Sequence, residues 1–330
     1  MTQHMSRRSA GAVLVMAAIA ATGSWHTAHA QGYPAKPVQL IVPFPPGGAV
    51  DIVGRLVGKK LGDRLGQPFV IENKAGAGTI VGASFVANAP ADGYTLLISS
   101  GSTFTANPAL NAKLPYDPVK SFDPIGMVAR VPLVLLANGE VPVNNLRQLI
   151  SAVQATPGKY VYGSFGSGTT GHFAAELVWA ATGIKLLHVP YRGSAPAMSD
   201  LIGGQIPFTI DTVAAALPQL KAGKIKAIAV TGESRATQLP NVPTVAESGF
   251  PGFSADSWLA IVGPHGLPAE VKATLQKALA EVAADGETRD KLVASGLQAA
   301  WEPANAVAAR IDDELPRMRA IAQRANIKAQ

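Results

Sequence analysis

The stretch Val38-Gln39-Leu40-Ile41-Val42-Pro43-Phe44-Pro45-Pro46-Gly47-Gly48 joins a β-rich apolar run to a turn built of prolines and glycines. Beyond it, Ile52, Val53, Leu56, Val57, Leu61 and Leu65 recur at helical spacing, so the stretch predicts strand, turn, helix. The pattern then repeats: residues 69–71 predict a strand, 80–89 a helix and 94–98 a third strand. This β-α-β-α-β order implies a parallel sheet with helices on its faces.

A second series follows the first. Strands are predicted at 133–136, 160–162, 185–189, 206–210 and 225–230, with helices at 146–154, 172–181, 195–202 and 214–220 between them. The last third opens with a strand at 258–262 and continues with helices at about 268–284, 287–294 and 303–325. Residues 113–132 read as irregular, and Leu239-Pro240-Asn241-Val242-Pro243 as a proline-bracketed connection. These two stretches are the expected crossings between lobes.

The chain has 330 residues, of which 48% are hydrophobic and 15% charged, enough apolar material for a large core and two domains. It has no cysteine, which excludes disulfides, thiolate nucleophiles, iron–sulfur clusters and Cys-type zinc sites. At the N-terminus, Arg7-Arg8 precedes an apolar run from Ala10 to Ala21 and an Ala28-His29-Ala30 cleavage pattern. Residues 1–30 therefore read as a secretory signal peptide cut before Gln31, since a run of about 12 residues is short of the roughly 20 that span a bilayer. Loss of those two arginines takes the formal charge from +6 to +4. The remaining Lys and Arg are scattered, with no basic–aromatic stripe, so nucleic acid is not an expected partner.

Two strand-to-helix loops hold the candidate site. Pro43, Phe44, Pro45, Gly47 and Gly48 lie where a helix start would aim free N–H groups and its positive dipole end at an anion. Asp51 sits in the first turn, where it would brace the loop or meet a ligand. The second loop runs Gly163-Ser164-Phe165-Gly166-Ser167-Gly168-Thr169-Thr170-Gly171-His172. Its hydroxyls can bond a ligand or cap the helix. Tyr191 and Arg192 after a strand, and Asp211 at a strand end, are further candidates facing a cleft, with a surface charge as the other reading of Arg192.

Gly166, Gly168 and Gly171 spell a dinucleotide fingerprint, but the strand that should end in a ribose-binding acid ends in Val189-Pro190-Tyr191-Arg192. No nucleophile elbow, P-loop or zinc-protease motif is present. Beyond the signal peptide three widely spaced histidines remain, His172, His188 and His265, a poor metal set. No cofactor and no metal are expected. A hydrolase using Ser164 or Ser167 with His172, and a sensor subunit binding the same ligand class, stay open as alternatives.

The sequence resembles the solute-binding proteins of tripartite tricarboxylate transporters, the Bug receptor type. The match is carried by PFPPGG at 43–48, ADGYTLL at 91–97, LPYDPVKSF at 114–122, YGSFGSGTTGH at 162–172, HVPYRGSAPA at 188–197 and LPNVPTVAESGFPGF at 239–253. The resemblance implies a periplasmic, α/β, two-lobed binding protein of type II, without enzymatic activity. Lobe 1 would comprise 31–130 plus 241–330, and lobe 2 residues 131–240. It implies a small organic carboxylate held in the cleft, membrane transporter subunits as partners, and a monomer. It places the first loop on one carboxylate, the loop from Ser164 to Thr170 on the other side, the segment from Ser99 to Ser102 (with Ser99, Gly101 and Ser102) on the floor, and Asp211 at the edge. Phe165 departs from the family, which often has a small residue there.

Overall fold

The computed structural model describes residues 32–324 and residue 327, so the expected signal peptide and its cleavage site lie outside the described residues. The chain runs β1 (Val38–Val42), α1 (Ala49–Leu65), β2 (Phe69–Asn73), a 3-10 turn Ala77–Thr79, α2 (Ile80–Ala87) and β3 (Thr95–Ser100). A π-type turn, Ser102–Ala106, passes into the short helix α3 (Asn107–Leu110). Then come β4 (Phe122–Val131), β5 (Leu133–Asn138), α4 (Leu146–Ala155), β6 (Val161–Ser164), α5 (Thr170–Thr182), β7 (Leu187–Pro190) and α6 (Ser194–Ile202). The remainder is β8 (Phe208–Thr212), α7 (Val213–Lys221), β9 (Ile225–Val230), β10 (Ser257–Pro264), α8 (Ala269–Ala284), α9 (Gly286–Ala294), β11 (Gln298–Pro303) and α10 (Ala304–Arg324).

Two mixed sheets organise these elements. The first has the order β11-β4-β10-β3-β1-β2 and the second β7-β6-β8-β5-β9. The predicted β-α-β repeats give the parallel pairs β1–β2, β1–β3, β6–β7 and β6–β8. The antiparallel pairs come from strands the repeats do not contain or that return late: β10 lies between β3 and β4, and β5 between β8 and β9.

The region 113–132, read as irregular, is corrected by β4, ten residues that sit inside the first sheet. Asp123, Pro124, Gly126 and Arg130 hide it in the sequence. The structure accommodates the first two locally. Asp123 accepts from the backbone N–H groups of Gly266 and Leu267 and from Lys272, and Pro124 pairs beside a register shift in β10. The edge strand β11 was likewise not expected; its Gln-Ala-Ala-Trp-Glu-Pro sequence carries no strand signal and depends on pairing with β4.

The chain leaves the first sheet at Val131 and enters the second at Leu133. On the return, Ala255 donates to the carbonyl of Thr231 before Ser257 pairs with Val131. Leu239 and Val242 pack against the core of the second sheet, so the proline-bracketed connection lies beside that sheet.

The core of the first sheet is centred on Phe104, which the π-type turn points inward. Its ring stacks on Trp258 at 5.6 Å between centroids and 8° between planes, and meets Phe122 edge-on at 5.9 Å. Trp258 is held in turn by its indole N–H, which donates to Glu314 of α10 at 2.9 Å. Removing this fully buried ring leaves a cavity that the stacked neighbour cannot close. Phe104→Ala is expected to cost about 3–5 kcal/mol in urea unfolding, with an unchanged slope.

Candidate functional site

Four helices begin where the two sheets meet: α1 after Gly48, α5 after Thr169, α6 after Gly193 and α7 after Thr212. Each follows a strand and a short turn, the sequence pattern noted for the first loop. Two of them satisfy their own N-terminal donors. The Thr169 hydroxyl accepts from His172 N–H, and the Thr212 hydroxyl from Ala215 N–H. The N–H of Thr170 is also taken, by Ser102 Oγ at 3.0 Å across the junction between the sheets. The other two, α1 and α6, have glycine at the cap and no side-chain cap bond.

The two uncapped starts face the same small chamber of about 30 Å³, lined by Gly48, Ala49 and Val50 on one side and Gly193 and Ser194 on the other. Ser100, Thr170, Thr212 and Ser257 complete its polar wall. Ser257 is buried, and its hydroxyl has no hydrogen-bond partner. A Cβ added to Gly48 would point toward Ser194 Oγ, 3.8 Å away, with no closer obstacle. The chamber therefore offers amide donors, hydroxyls and no basic side chain.

A larger cavity of about 780 Å³ lies beside it, with Pro43, Phe44 and Pro45, the turn Ala77–Thr79, Asn107, residues 165–168 and residues 190–193 on its walls. Phe44, Pro45, Phe165 and Gly193 line both spaces. The Phe44 and Phe165 rings meet edge-on at 6.3 Å and form the partition. Phe165 packs against the start of α5, where a Cβ on Gly171 would come within 2.4 Å of its ring. Gly168 has φ +70 and would bring a Cβ within 2.3 Å of Asn107 Oδ1. The apparent dinucleotide fingerprint thus has a different cause: two of its glycines make a tight turn at positive φ, and the third makes room for Phe165.

The expected residues divide by place. Pro43, Phe44, Pro45, Phe165, Gly166, Ser167, Gly168 and Tyr191 line the larger cavity, and Gly48 and Thr170 the chamber. Gly47, Asp51, Ser99, Gly101, Ser102, Ser164, Thr169, His172 and Asp211 line neither and act behind the walls. Asp51 braces the first loop: it accepts from Gly47 N–H at 3.0 Å and from Arg55 and Asn73, while Asn73 also holds the carbonyl of Phe44. Burial alone would raise the Asp51 carboxyl, but Arg55, Asn73 and the Gly47 amide outweigh it and hold it below its ordinary value. Ser99 is spent on Thr103 at 2.6 Å, and Ser102 on Thr170.

Asp211 is fully buried, and burial pushes its carboxyl up to about 6 against the hydrogen bonds of Ser194 and Thr212. One of its oxygens accepts from Ser194 Oγ at 2.7 Å and Thr212 N–H at 2.7 Å, and the other has no partner. It therefore fixes the two chamber-lining residues that flank it. Ser194, Thr212, Ser257 and Asn107 were not among the expected site residues, whereas Ser100, of the expected floor segment, lines the chamber and Arg192, an expected cleft candidate, lines the larger cavity. Ser194 and Thr212 carried the same strand–turn–helix signal as the two loops that were singled out. Ser257 and Asn107 carried none.

Behind the second loop lies a column of stacked rings: Tyr162 on His188 at 4.9 Å, and His188 on His172 at 4.0 Å. Ser164 Oγ is 2.7 Å from His188 Nε2, and Gly168 N–H donates to His172 Nδ1. The serine–histidine pair is thus formed by Ser164 with His188, not with His172. It is partly buried, and Nδ1 of His188 has no partner to orient the ring as a base. Among the described residues no cluster of potential metal ligands occurs, and no helix is long and apolar enough to cross a membrane.

Burial lowers His172 to about 4, and burial together with its stacked neighbour lowers His188 to about 3. Both rings stay neutral when folded while the unfolded chain takes up protons below about 6.5. The unfolded state then binds more protons, so their contribution to stability falls as pH falls from about 6.5 toward 4. Asp211 and Asp256, both raised to about 6 by burial, act in the opposite sense, their contribution being lost as pH rises through that value. Comparison with a variant isolates one ring. Thermal unfolding of wild type between pH 7 and pH 5 is expected to lose roughly 2 kcal/mol more than that of His172→Gln.

The family model described as tripartite tricarboxylate transporter family receptor matches residues 53–327. Protein BugT of Bordetella pertussis is 35% identical over 311 residues, covering 94% of this chain and 95% of BugT. A Rhodopseudomonas palustris protein solved with adipate has a TM-score of 0.87 at 35% identity, over 90% of this chain and 99% of that one. MatC from Rhodopseudomonas palustris, solved with bound malate, has a TM-score of 0.81 at 30% identity, over 88% and 99% of the two chains.

Proposed function

The chain belongs to the tripartite tricarboxylate transporter receptor family, and from that premise we propose that it captures a small organic carboxylate in the chamber between its two sheets and delivers it to membrane transporter subunits. Membership makes it a solute-binding receptor of a periplasmic transport family, not an enzyme. The proposal adds export through residues 1–30, cleavage before Gln31, and a monomer as the working form.

The observation that carries the ligand class is the pair of uncapped helix starts, α1 and α6, facing one chamber that also holds the unpartnered hydroxyl of Ser257. Orphan N–H groups at a helix start favour an anion. Hydrogen bonds to a charged group contribute roughly 1.5–3 kcal/mol each, so a few suffice without an arginine in the chamber. The second jaw of this clamp is α6, in place of the α5 start expected from the second loop, because α5 spends its first donors on Thr169 and Ser102.

The lobes proposed as moving bodies are 31–130 with 241–330, and 131–240. The connections after β4 and β9 are the hinge. Contacts from Gly48 on one side and Ser194 on the other exist together only when the lobes are closed, so the ligand shifts the population toward the closed form.

The mature chain, unfolded and refolded to remove any bound acid, is expected to show thermal stabilisation with at least one member of a panel of mono-, di- and tricarboxylates, aromatic acids and acidic amino acids. Silence across the panel would refute the ligand class. Gly48→Val, at a position with ordinary φ and space toward Ser194, should keep its melting temperature and lose that stabilisation. Retained binding in this variant would reduce the first loop to a plain turn.

A further inference from the structure

Asp211 stands behind the chamber with no cation beside it. The residue is fully buried near the end of β8, and its Oδ2 has no hydrogen-bond partner. Its polar contacts are the Ser194 hydroxyl and the amide and hydroxyl of Thr212, all on Oδ1. The titratable groups on the surrounding elements are engaged elsewhere. β5, which pairs Val134 with Asp211, carries none. β6 brings Tyr162, which donates to Glu176 of α5, and α5 also brings His172, which accepts from Gly168. α6 brings Asp200, which accepts from Tyr191, and α7 brings Lys221 in its last turn. Across the chamber, Asp51 of α1 is paired with Arg55, and Arg130 of β4 with Glu302. Asp256, faced by Arg130 and Glu233, precedes the chamber residue Ser257.

Ser194 connects the Asp211 carboxylate to the chamber. Its Oγ donates to Asp211 Oδ1 at 2.7 Å, and it lines the chamber on the side toward Gly48 at the start of α1. A hydroxyl has one hydrogen to give. While Asp211 is ionised that hydrogen is spent on it, and Ser194 turns lone pairs toward the chamber. An anion seated there meets those lone pairs and a second negative charge one hydroxyl away. Once Asp211 carries a proton, its carboxyl O–H donates to Ser194 Oγ, and the serine hydrogen is free to point at the anion. Protonation thus converts Ser194 from acceptor to donor and removes the like charge.

Resting on the reading of the chamber as the carboxylate site, we propose that Asp211 takes up a proton when an anion enters, so that capture is coupled to proton binding through Ser194. The proton comes from the solvent, and its O–H bond is the only covalent bond made. Burial raises the carboxyl to about 6, so near neutral pH it is largely ionised before binding. A like charge placed beside it raises it further. The liganded form then binds more protons than the free form. Affinity therefore rises as pH falls, and the change lies above about 6, where free Asp211 loses its proton.

Calorimetric titration of the refolded mature chain, in buffers of different ionisation enthalpy, counts the protons. The probes are benzoate and glutarate, extended to each acid of the panel above that stabilises the chain and stays ionised from about pH 6.5 to about 8.5. Wild type is expected to take up close to one proton per acid near neutral pH and to lose affinity by up to about tenfold per pH unit above it. Asp211→Asn has a neutral side chain of the same shape, whose amide donates to Ser194 as the protonated acid does. It should bind without proton uptake, with an affinity independent of pH and, at about pH 8.5, roughly tenfold or more tighter than wild type. An Asp211 that only braces the fold would instead weaken binding at every pH when replaced, which would overturn the coupling. Asp256→Asn removes the other acid raised to about 6 and should keep the proton count of wild type. If Asp211→Asn fails to fold, the wild-type count and its retention in Asp256→Asn decide.

Binding to wild type without proton uptake would overturn the coupling and leave the chamber reading intact. Uptake that persists in Asp211→Asn, or disappears in Asp256→Asn, would do the same. Absence of binding by every acid would overturn the chamber reading and the coupling with it.

Discussion

A helix that starts without a capping side chain carries amide donors that its own residues cannot satisfy. The rest of this molecule is arranged around two such starts. The parallel β-α units place four helix beginnings at the junction of the sheets. Threonines close two of them, and glycines leave α1 and α6 open toward one small chamber. The charge that the chamber lacks in side chains is present as backbone dipole, which needs no counter-ion and does not titrate. Even the acids nearby serve this arrangement. Asp51 fixes the first loop, and Asp211 holds Ser194 and Thr212 while keeping one oxygen unpaired at full burial.

The second loop has a different office from the one its hydroxyls suggest. Thr169 caps its helix, Thr170 and Ser102 tie the two sheets together, and Ser164 joins a partly buried histidine stack. What the loop sends toward the ligand space is Phe165. The ring packs against Gly171 and, with Phe44, Pro45 and Gly193, lines both the small polar chamber and the larger cavity.

The repeating units were legible because hydrophobic period and glycine placement are local. The parallel pairs around β1 and β6, and the helices α1, α4 and α8, follow from spacing that no distant residue alters. The strand β4 was not legible. Its Asp123 and Pro124 are tolerated only because Lys272, the amides of Gly266 and Leu267, and a bulge opposite in β10 are brought to them by the fold. The site was legible to the same degree. Both loops that line the ligand space were marked by glycines beside strands, whereas Ser257, at the start of an antiparallel return strand, bore no mark.

The sequence by itself determined that strand–glycine–helix turns would present backbone donors, because those turns are made by neighbours in the chain. Through the absence of cysteine it also excluded disulfides and thiolate chemistry. Only the tertiary structure decided which helix starts are free. An N–H that Ser102 or Thr169 already occupies looks identical in sequence to one that nothing occupies. Only the tertiary structure, again, put Arg192 on the rim and Phe165 on the partition, since both positions depend on where two separate sheets bring their loops together.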